Sequence, residues 1–206
     1  MINADYWKDF YKQNPKFEVS PTPFALWVTD FDRPALAEAT PRTLADLGAG
    51  NCRDSIYFHR QGYVVTAIDG GMSPAEIVVP FGHYQADFLE FDLSGQDVIY
   101  LRFVIHAMTE ADLDTLLHKL ATLPNESTIY AETRSTTGIS QNEKAETFFK
   151  SSIGSEHFRM LYSQAYLDEK FSRNFEIVIS EESNEFAKYK GDNPYVLRYV
   201  LKKAAR

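Results

Sequence analysis

Thr43-Leu44-Ala45-Asp46-Leu47-Gly48-Ala49-Gly50-Asn51-Cys52-Arg53-Asp54 reads as a buried strand, a glycine turn and the opening of a helix. An apolar run enters the turn, and two glycines let the backbone bend sharply and come close to a ligand. Asn51 is the expected cap of the helix, and Asp54 falls in its first turn, where unpaired amides favour an acid. Gly62 supplies the stop. A second strand, Tyr63-Val64-Val65-Thr66-Ala67-Ile68, then ends in Asp69. Strand, turn, helix, strand and terminal acid make one nucleoside-binding unit.

Two positions decide which nucleoside. A dinucleotide fingerprint needs a third small residue at position 53 so that helix and strand pack closely, and that position is Arg53. A diphosphate therefore fits poorly. Asp46 stands two residues before the first glycine, which places a carboxylate at the strand end, where it can meet an ammonium group. An amino acid joined to a nucleoside satisfies both ends of the unit. These residues resemble the class I S-adenosylmethionine (SAM) methyltransferases. Asp46-Leu47-Gly48-Ala49-Gly50 matches their first motif, and Asp69 matches the acid that holds the ribose hydroxyls. The string Gly50-Asn51-Cys52-Arg53-Asp54-Ser55-Ile56-Tyr57-Phe58 is similar to the bacterial branch that includes the tellurite-resistance methyltransferases.

The resemblance implies an α/β fold: a Rossmann-like, seven-stranded, mostly parallel sheet with helices on both faces. It implies SAM as cofactor and S-adenosylhomocysteine (SAH) as product. Asp46 is then expected to hold the methionine ammonium, Asp69 the ribose, and Asp87 with Phe88 the adenine. Gly48, Gly50, Asn51 and Gly70 complete the expected cofactor set, together with Tyr11 from an N-terminal aromatic helix that folds over the ligand in this family.

Composition sets the limits. The chain has 206 residues, 44% hydrophobic and 24% charged, which suits one soluble domain with a sizeable core. The expected division is a helical cap at 1–40 and a Rossmann-like core at 41–206. A formal net charge of -8 speaks against a non-specific nucleic-acid binder, since phosphate contacts need concentrated positive charge. Cys52 is the only cysteine, so neither an intramolecular disulfide nor a cysteine zinc cluster forms; no metal is expected. The N-terminus lacks the basic start and apolar core of a signal peptide, and no apolar run reaches membrane-spanning length. The expectation is a cytoplasmic protein, monomer or homodimer.

Around the central unit, Tyr6, Trp7, Phe10 and Tyr11 recur at helical spacing and predict an amphipathic helix ending near Asn14-Pro15, open to both core packing and cofactor cover. A second short helix is expected over 23–30, with an irregular connection over 34–41. Gly70 and Gly71 lead into a short helix before the edge strand His83-Tyr84-Gln85-Ala86. Val98-Ile99-Tyr100-Leu101 reads as a central parallel strand. Thr109 with Asp112 caps a helix whose Leu113, Leu116, Leu117 and Leu120 form one apolar stripe. Another central strand spans 127–131. The polar stretch 135–154 is expected to be a long substrate loop, followed by a helical region over 158–171. Two terminal strands, 175–179 and 195–201, are expected to close the sheet as an antiparallel pair.

For the acceptor, Arg102, Phe103, His106 and Met108 fall at the carboxyl end of a strand, where open α/β sheets bind ligands. His106 is the candidate base, against the alternative of a hydrogen-bonded packing residue; its ordinary pKa of about 6.5 suits neutral pH. Arg102 joins it as a candidate catalytic group. Arg134, Arg159, Tyr162 and Lys188 are the candidate substrate residues. The basic ones either pair with local acids such as Glu132 and Glu90 or converge on one rim, and convergence would point to an anionic acceptor. Tyr100-Leu101-Arg102-Phe103-Val104-Ile105-His106 and the stretch 186–195 resemble small bacterial methyltransferases of capsule and surface-polysaccharide biosynthesis, which implies a small metabolite or glycan precursor as acceptor. The rival readings are an NAD(P)-dependent oxidoreductase, in which Asp69 serves equally well, and a non-catalytic SAM-binding partner protein. A nucleic-acid methyltransferase is disfavoured because Arg-Phe-Val-Ile begins at position 102 in place of an Asn/Asp-Pro-Pro-Tyr/Phe tetrapeptide.

Overall fold

The computed structural model describes residues 4–13, 20–36, 40–71, 78–124, 126–150, 156–188 and 193–204. In chain order the elements are α1 (Ala4–Gln13), α2 (Pro23–Leu36), β1 (Thr43–Leu47), α3 (Arg53–Arg60), β2 (Val64–Asp69), β3 (Gly82–Gln85) and β4 (Val98–Arg102). There follow a 3-10 turn (Ile105–Ala107), α4 (Glu110–Thr122), β5 (Thr128–Arg134), β6 (Lys144–Lys150), β7 (Glu156–Tyr162), α5 (Gln164–Ser172), β8 (Phe175–Ser183) and β9 (Val196–Lys203). Seven strands form one sheet in the order β3-β2-β1-β4-β5-β9-β8. Strand β9 runs antiparallel to both β5 and β8, while the pairs from β3 to β5 are parallel. No helix among the described residues is long and apolar enough to cross a membrane.

Alternation along the strands sorts the core into two layers, as a sheet covered on both faces requires. Ala45, Leu47, Ile99, Leu101, Ile129 and Ala131 pack with Leu113, Leu116 and Leu120 of α4 and with Leu167 and Phe171 of α5. Leu44, Val98, Tyr100 and Tyr130 point the other way, onto Phe24 and Val28 of α2 and Phe58 of α3. The same alternation carries Asp46, Arg102 and Glu132 to the α2 and α3 side at the carboxyl end of the sheet.

Local chemistry ends the helices where expected. Gly62 at φ 99 closes α3: its amide bonds the His59 carbonyl at 3.1 Å and the Tyr63 amide bonds the Phe58 carbonyl at 3.2 Å. The capping box of α4 is present in both directions, Asp112 N to Thr109 Oγ1 at 3.1 Å and Thr109 N to Asp112 Oδ2 at 3.4 Å. Helix α3 departs from expectation, because Cys52 rather than Asn51 occupies its cap, in a left-handed conformation without a side-chain bond.

Three further segments correct the sequence reading. Helix α2 continues through Pro34 to Leu36 instead of ending near 30. Proline removes one helical bond, but Asp32 holds the segment down by accepting from Tyr63 Oη at 2.7 Å, Tyr130 Oη at 3.0 Å and Arg42 Nη1 at 3.0 Å. The expected loop over 135–154 contains β6, and the expected helix over 158–171 begins as β7; the two pair antiparallel as a separate hairpin. Only after Ser163, whose hydroxyl accepts from the Tyr166 amide at 3.1 Å, does α5 start. The helix expected after Gly71 falls on residues 72–77, outside the described residues, as does the Asn14-Pro15 stop.

Candidate active site

The glycine turn is held by the strand beside it. Amides of Gly48 and Ala49 both donate to the Ile68 carbonyl, at 2.8 and 3.2 Å. Gly48 (φ 74) and Gly50 (φ 54) lie in the left-handed region, and a Cβ added at Gly48 would stand 2.6 Å from Val104 Cγ2. A glycine is therefore required at 48 for backbone and for space. The Asp69 carboxylate, at the end of β2, accepts from Gly50 N at 2.9 Å and from Gly71 N at 2.7 Å. Gly70 lies between these anchors. Those bonds aim the acid at the turn.

Asp46 is buried at the end of β1 and accepts a 2.5 Å hydrogen bond from Ser55 Oγ on α3. Burial first, and then the neighbouring Asp54 and Asp69 charges, push its pKa up to about 7 against the pull of Ser55 and Arg102. A buried carboxylate is stabilised by a cation placed beside it. Asp54 is instead consumed structurally, taking Thr22 N at 2.8 Å, Thr22 Oγ1 at 2.8 Å and Tyr100 Oη at 2.7 Å, which docks the start of α2 on the first turn of α3.

The two residues expected at the adenine part company: Asp87 is half-buried, and Phe88 is buried. Asp87 follows β3 and its Oδ1 accepts from Leu89 N at 2.9 Å. Phe88, however, is 1% exposed and packs in the α4-side core, so its ring offers no face to a ligand. Lys119 fixes this turn by donating to the carbonyls of Phe88 at 3.1 Å, Leu89 at 2.8 Å and Phe91. Asn51 sits in the turn itself, and the side chain of Tyr11 lies outside the described residues.

At the other end of the cleft, Arg102, Glu132 and Arg198 stand in register across β4, β5 and β9. Glu132 accepts from Arg102 Nε at 3.1 Å and Arg198 Nε at 2.9 Å, the pairing with a local acid that the sequence left open. Arg102 also stacks on Phe103, 4.2 Å from guanidinium carbon to ring centroid, while Arg134 lies 5.9 Å from the same ring. Phe103 carries φ 59, a strained conformation for an aromatic residue, at the mouth of the sheet.

His106 corrects the base assignment. It is buried, its Nδ1 accepts from the Arg134 amide at 3.2 Å, and Thr133 Oγ1 lies 3.1 Å from the same nitrogen. The lone pair is thus occupied and the ring proton resides on Nε2. Burial, then the charges of Arg159, Arg134, His157 and Arg102, push its pKa well below the ordinary value. Strand β7 packs against the 3-10 turn that carries His106 and brings Arg159 there. Arg159 Nε donates to His157 Nε2 at 3.1 Å, and Tyr6 of α1 stacks on His157 at 4.2 Å with Trp7 at 5.6 Å. The charges of Arg102, Arg134 and Arg159 therefore all bear on His106. Lys188 does not: it is exposed and pairs with Glu185. Tyr162 also drops out, since it is fully buried in the α4-side core and stacks on Tyr166 at 5.4 Å. Met108 is core as well. Ser55, Thr133 and His157 touch the candidate residues Asp46, His106 and Arg159, and the sequence reading did not single them out. Ser55 alone had a signal, nine residues from Asp46 and two into the helix facing it.

Six mutually parallel strands with a single antiparallel strand, β9, inserted next to the edge, and acids at the ends of β1 and β2, match the Rossmann-like fold of the class I SAM-dependent methyltransferases. No protein-family model and no curated protein sequence matches the chain. Among solved structures, the chain is similar to Burkholderia thailandensis 1,6-didemethyltoxoflavin-N1-methyltransferase, solved with 1,6-didemethyltoxoflavin and SAH, at 16% identity and TM-score 0.71 over 97% of this chain and 87% of that one. It is similar to a SAM-dependent methyltransferase from Clostridium acetobutylicum at 10% identity and TM-score 0.66, over 96% and 97%. The glycopeptide N-methyltransferase MtfA complexed with SAM gives 14% identity and TM-score 0.59, over 89% and 95%.

Proposed function

We propose that the chain is a SAM-dependent methyltransferase acting on a small metabolite or glycan precursor. The observation that carries this reading is the pair of acids at the glycine turn. Asp46 is a buried carboxylate with one neutral partner, fitted to an ammonium, and Asp69 is aimed by two turn amides, fitted to a diol. Gly48, pressed against Val104, keeps the backbone open between them. The fold neighbours named with bound SAM and SAH support the same reading.

SAM, when bound, supplies an electrophilic methyl group, and its sulfur leaves with the electron pair of the broken bond as a neutral thioether. The chain's own part is orientation, which accounts for most of the catalysis such a displacement requires. Asp46 and Asp69 fix the two ends of the cofactor, and Asp87 is proposed to meet the adenine edge. Tyr6 and Trp7, seated on His157, place α1 beside the acceptor space. Substitution Asp69→Ala tests the assignment: SAH affinity should fall about 100-fold or more, the loss of two charge-assisted bonds, with unfolding still cooperative at a lower midpoint because the Gly50 and Gly71 amides lose their acceptor. An unchanged dissociation constant would contradict it.

A further inference from the structure

The chain that leaves the carboxyl end of β5 builds a cleft of its own. It measures about 250 Å3 and lies between the 136–143 segment and Ser163, the cap of α5. Neighbouring strands fix the segment. Ser135 N donates to the Tyr195 carbonyl next to β9 at 3.0 Å, Thr136 N to the Tyr162 carbonyl of β7 at 3.1 Å, and Thr137 Oγ1 to Glu182 Oε1 of β8 at 2.9 Å. The amides of Ile139 and Ser140 both close on the Thr136 carbonyl at 2.9 Å, and Ser163 N holds the Glu143 carbonyl at 2.6 Å. A cleft fixed in this way is ordered before a ligand arrives, which lowers the entropic cost of binding. Thr136 follows by three residues Thr133, whose Oγ1 lies 3.1 Å from His106 Nδ1, so at most about 11 Å of chain separates the cleft from the 3-10 turn.

The lining names the ligand class. Ser140 Oγ accepts from Asn142 N and Ser163 Oγ from Tyr166 N, each at 3.1 Å, so both hydroxyls keep a proton to donate. Thr136 adds a hydroxyl, Gln141 and Asn142 add amides that donate and accept, and Glu143 adds an acceptor. None of the lining residues is cationic, and the Glu143 carboxylate repels an anion. Glu143 is also exposed, where water screens a lone cation. A neutral ring rich in hydroxyls uses all of these groups, because each hydroxyl both donates and accepts. Tyr195, 38% exposed, stands beside Gly138 in the wall, 3.7 Å from where a Cβ would be, and adds apolar surface for the C–H face of such a ring. The volume falls below the about 300 Å3 at which drug-sized sites begin, so it takes one ring rather than a chain.

We infer that this cleft binds a neutral sugar ring, the glycan part of the acceptor, through Thr136, Ser140, Gln141, Asn142, Glu143 and Ser163. The word acceptor rests on the methyltransferase reading, but the sugar site stands on its own cleft.

The test uses the full chain and begins with an SAH titration. SAH-loaded protein is then titrated, with ligand-observed NMR as the readout, against the methyl glycosides of glucose, galactose, mannose and N-acetylglucosamine. Cyclohexanol serves as the ring without the added hydroxyls, inorganic phosphate as the anion and tetramethylammonium as the cation. At least one glycoside should bind saturably at millimolar concentration, and the three controls at least about tenfold more weakly, as the loss of two or more hydrogen bonds requires. The double variant Gln141→Ala, Asn142→Ala removes two exposed side chains and should weaken that glycoside about tenfold with SAH affinity kept. Ser140→Phe, which fills the cleft, should abolish glycoside binding, again with SAH affinity kept. Absence of glycoside binding to protein that binds SAH, equal glycoside binding by the wild type and both variants, or tighter binding of any control overturns the inference. Failure to bind SAH would count against the methyltransferase reading instead, and the same titrations on unloaded protein would still decide the sugar site.

Discussion

The backbone amide of Arg134 donates to Nδ1 of His106 across 3.2 Å, and this contact decides what the only histidine of the 3-10 turn can do. A nitrogen that accepts from an amide carries no proton, so the ring is neutral with its hydrogen on Nε2. Burial and the surrounding arginines hold it there, far from imidazolium.

The pH dependence of turnover should therefore show no imidazole limb between pH 6 and 7. His106→Asn, which keeps an acceptor for the Arg134 amide, should retain turnover within about tenfold of the wild type. Loss of a working general base would cost about 100-fold to 10,000-fold. A drop of that size, with a lost limb in the rate profile, would restore His106 as the base.

Asp46 gives the opposite kind of signal. Its carboxyl is protonated in the folded, unliganded chain below about pH 7, whereas an ammonium ligand requires the anion. SAH affinity should fall as pH drops below 7, approaching tenfold per unit, and Asp46→Asn should both weaken SAH strongly and flatten the profile. Stability runs the other way. The folded pKa of about 7 exceeds the ordinary 3.8, so the folded chain binds more protons between those values, and stability declines as pH rises from 4 to 7. Asp46→Asn should therefore raise the melting temperature at pH 8 and leave it nearly unchanged at pH 4. Calorimetry and thermal denaturation at three pH values check both halves.

Glu132 is buried between Arg102 and Arg198. Glu132→Ala leaves the buried Arg198 cation without its carboxylate, and the expected cost is about 3–5 kcal/mol. Urea denaturation should show a lower midpoint with an unchanged slope. A midpoint shift worth less than about 1 kcal/mol would mean that water or Phe186 O satisfies Arg198 well enough.

Legibility in the sequence followed the locality of the signal. Strands β1 and β2, the turn between them, the Thr109 box and the leucine stripe of α4 each depend on residues a few positions apart, and all were readable. Strand β7 was not. His157, Phe158 and Arg159 are all buried, so no apolar-polar alternation marks the strand, and a chain buried on both faces looks the same whether helix or strand. Missing β6 and β7 also hid the geometry of the acceptor side, because Arg159 reaches His106 only through the hairpin. The convergence of arginines could be posed from sequence but not settled. Phe88 failed for a related reason: the Asp-Phe pair has the right spacing, but Lys119, thirty-one residues further on, fixes its backbone and turns the ring into the core.

The central claim is the cofactor, and one titration tests it most directly. Purified full-length protein should be titrated by calorimetry with SAM, SAH and NAD(H) in parallel at pH 8, where Asp46 is ionised. The account predicts one-to-one, micromolar binding of both adenosyl compounds, about -8 kcal/mol, and none of the nicotinamide cofactor. Binding of NAD(H) alone, or of none of the three, would contradict it.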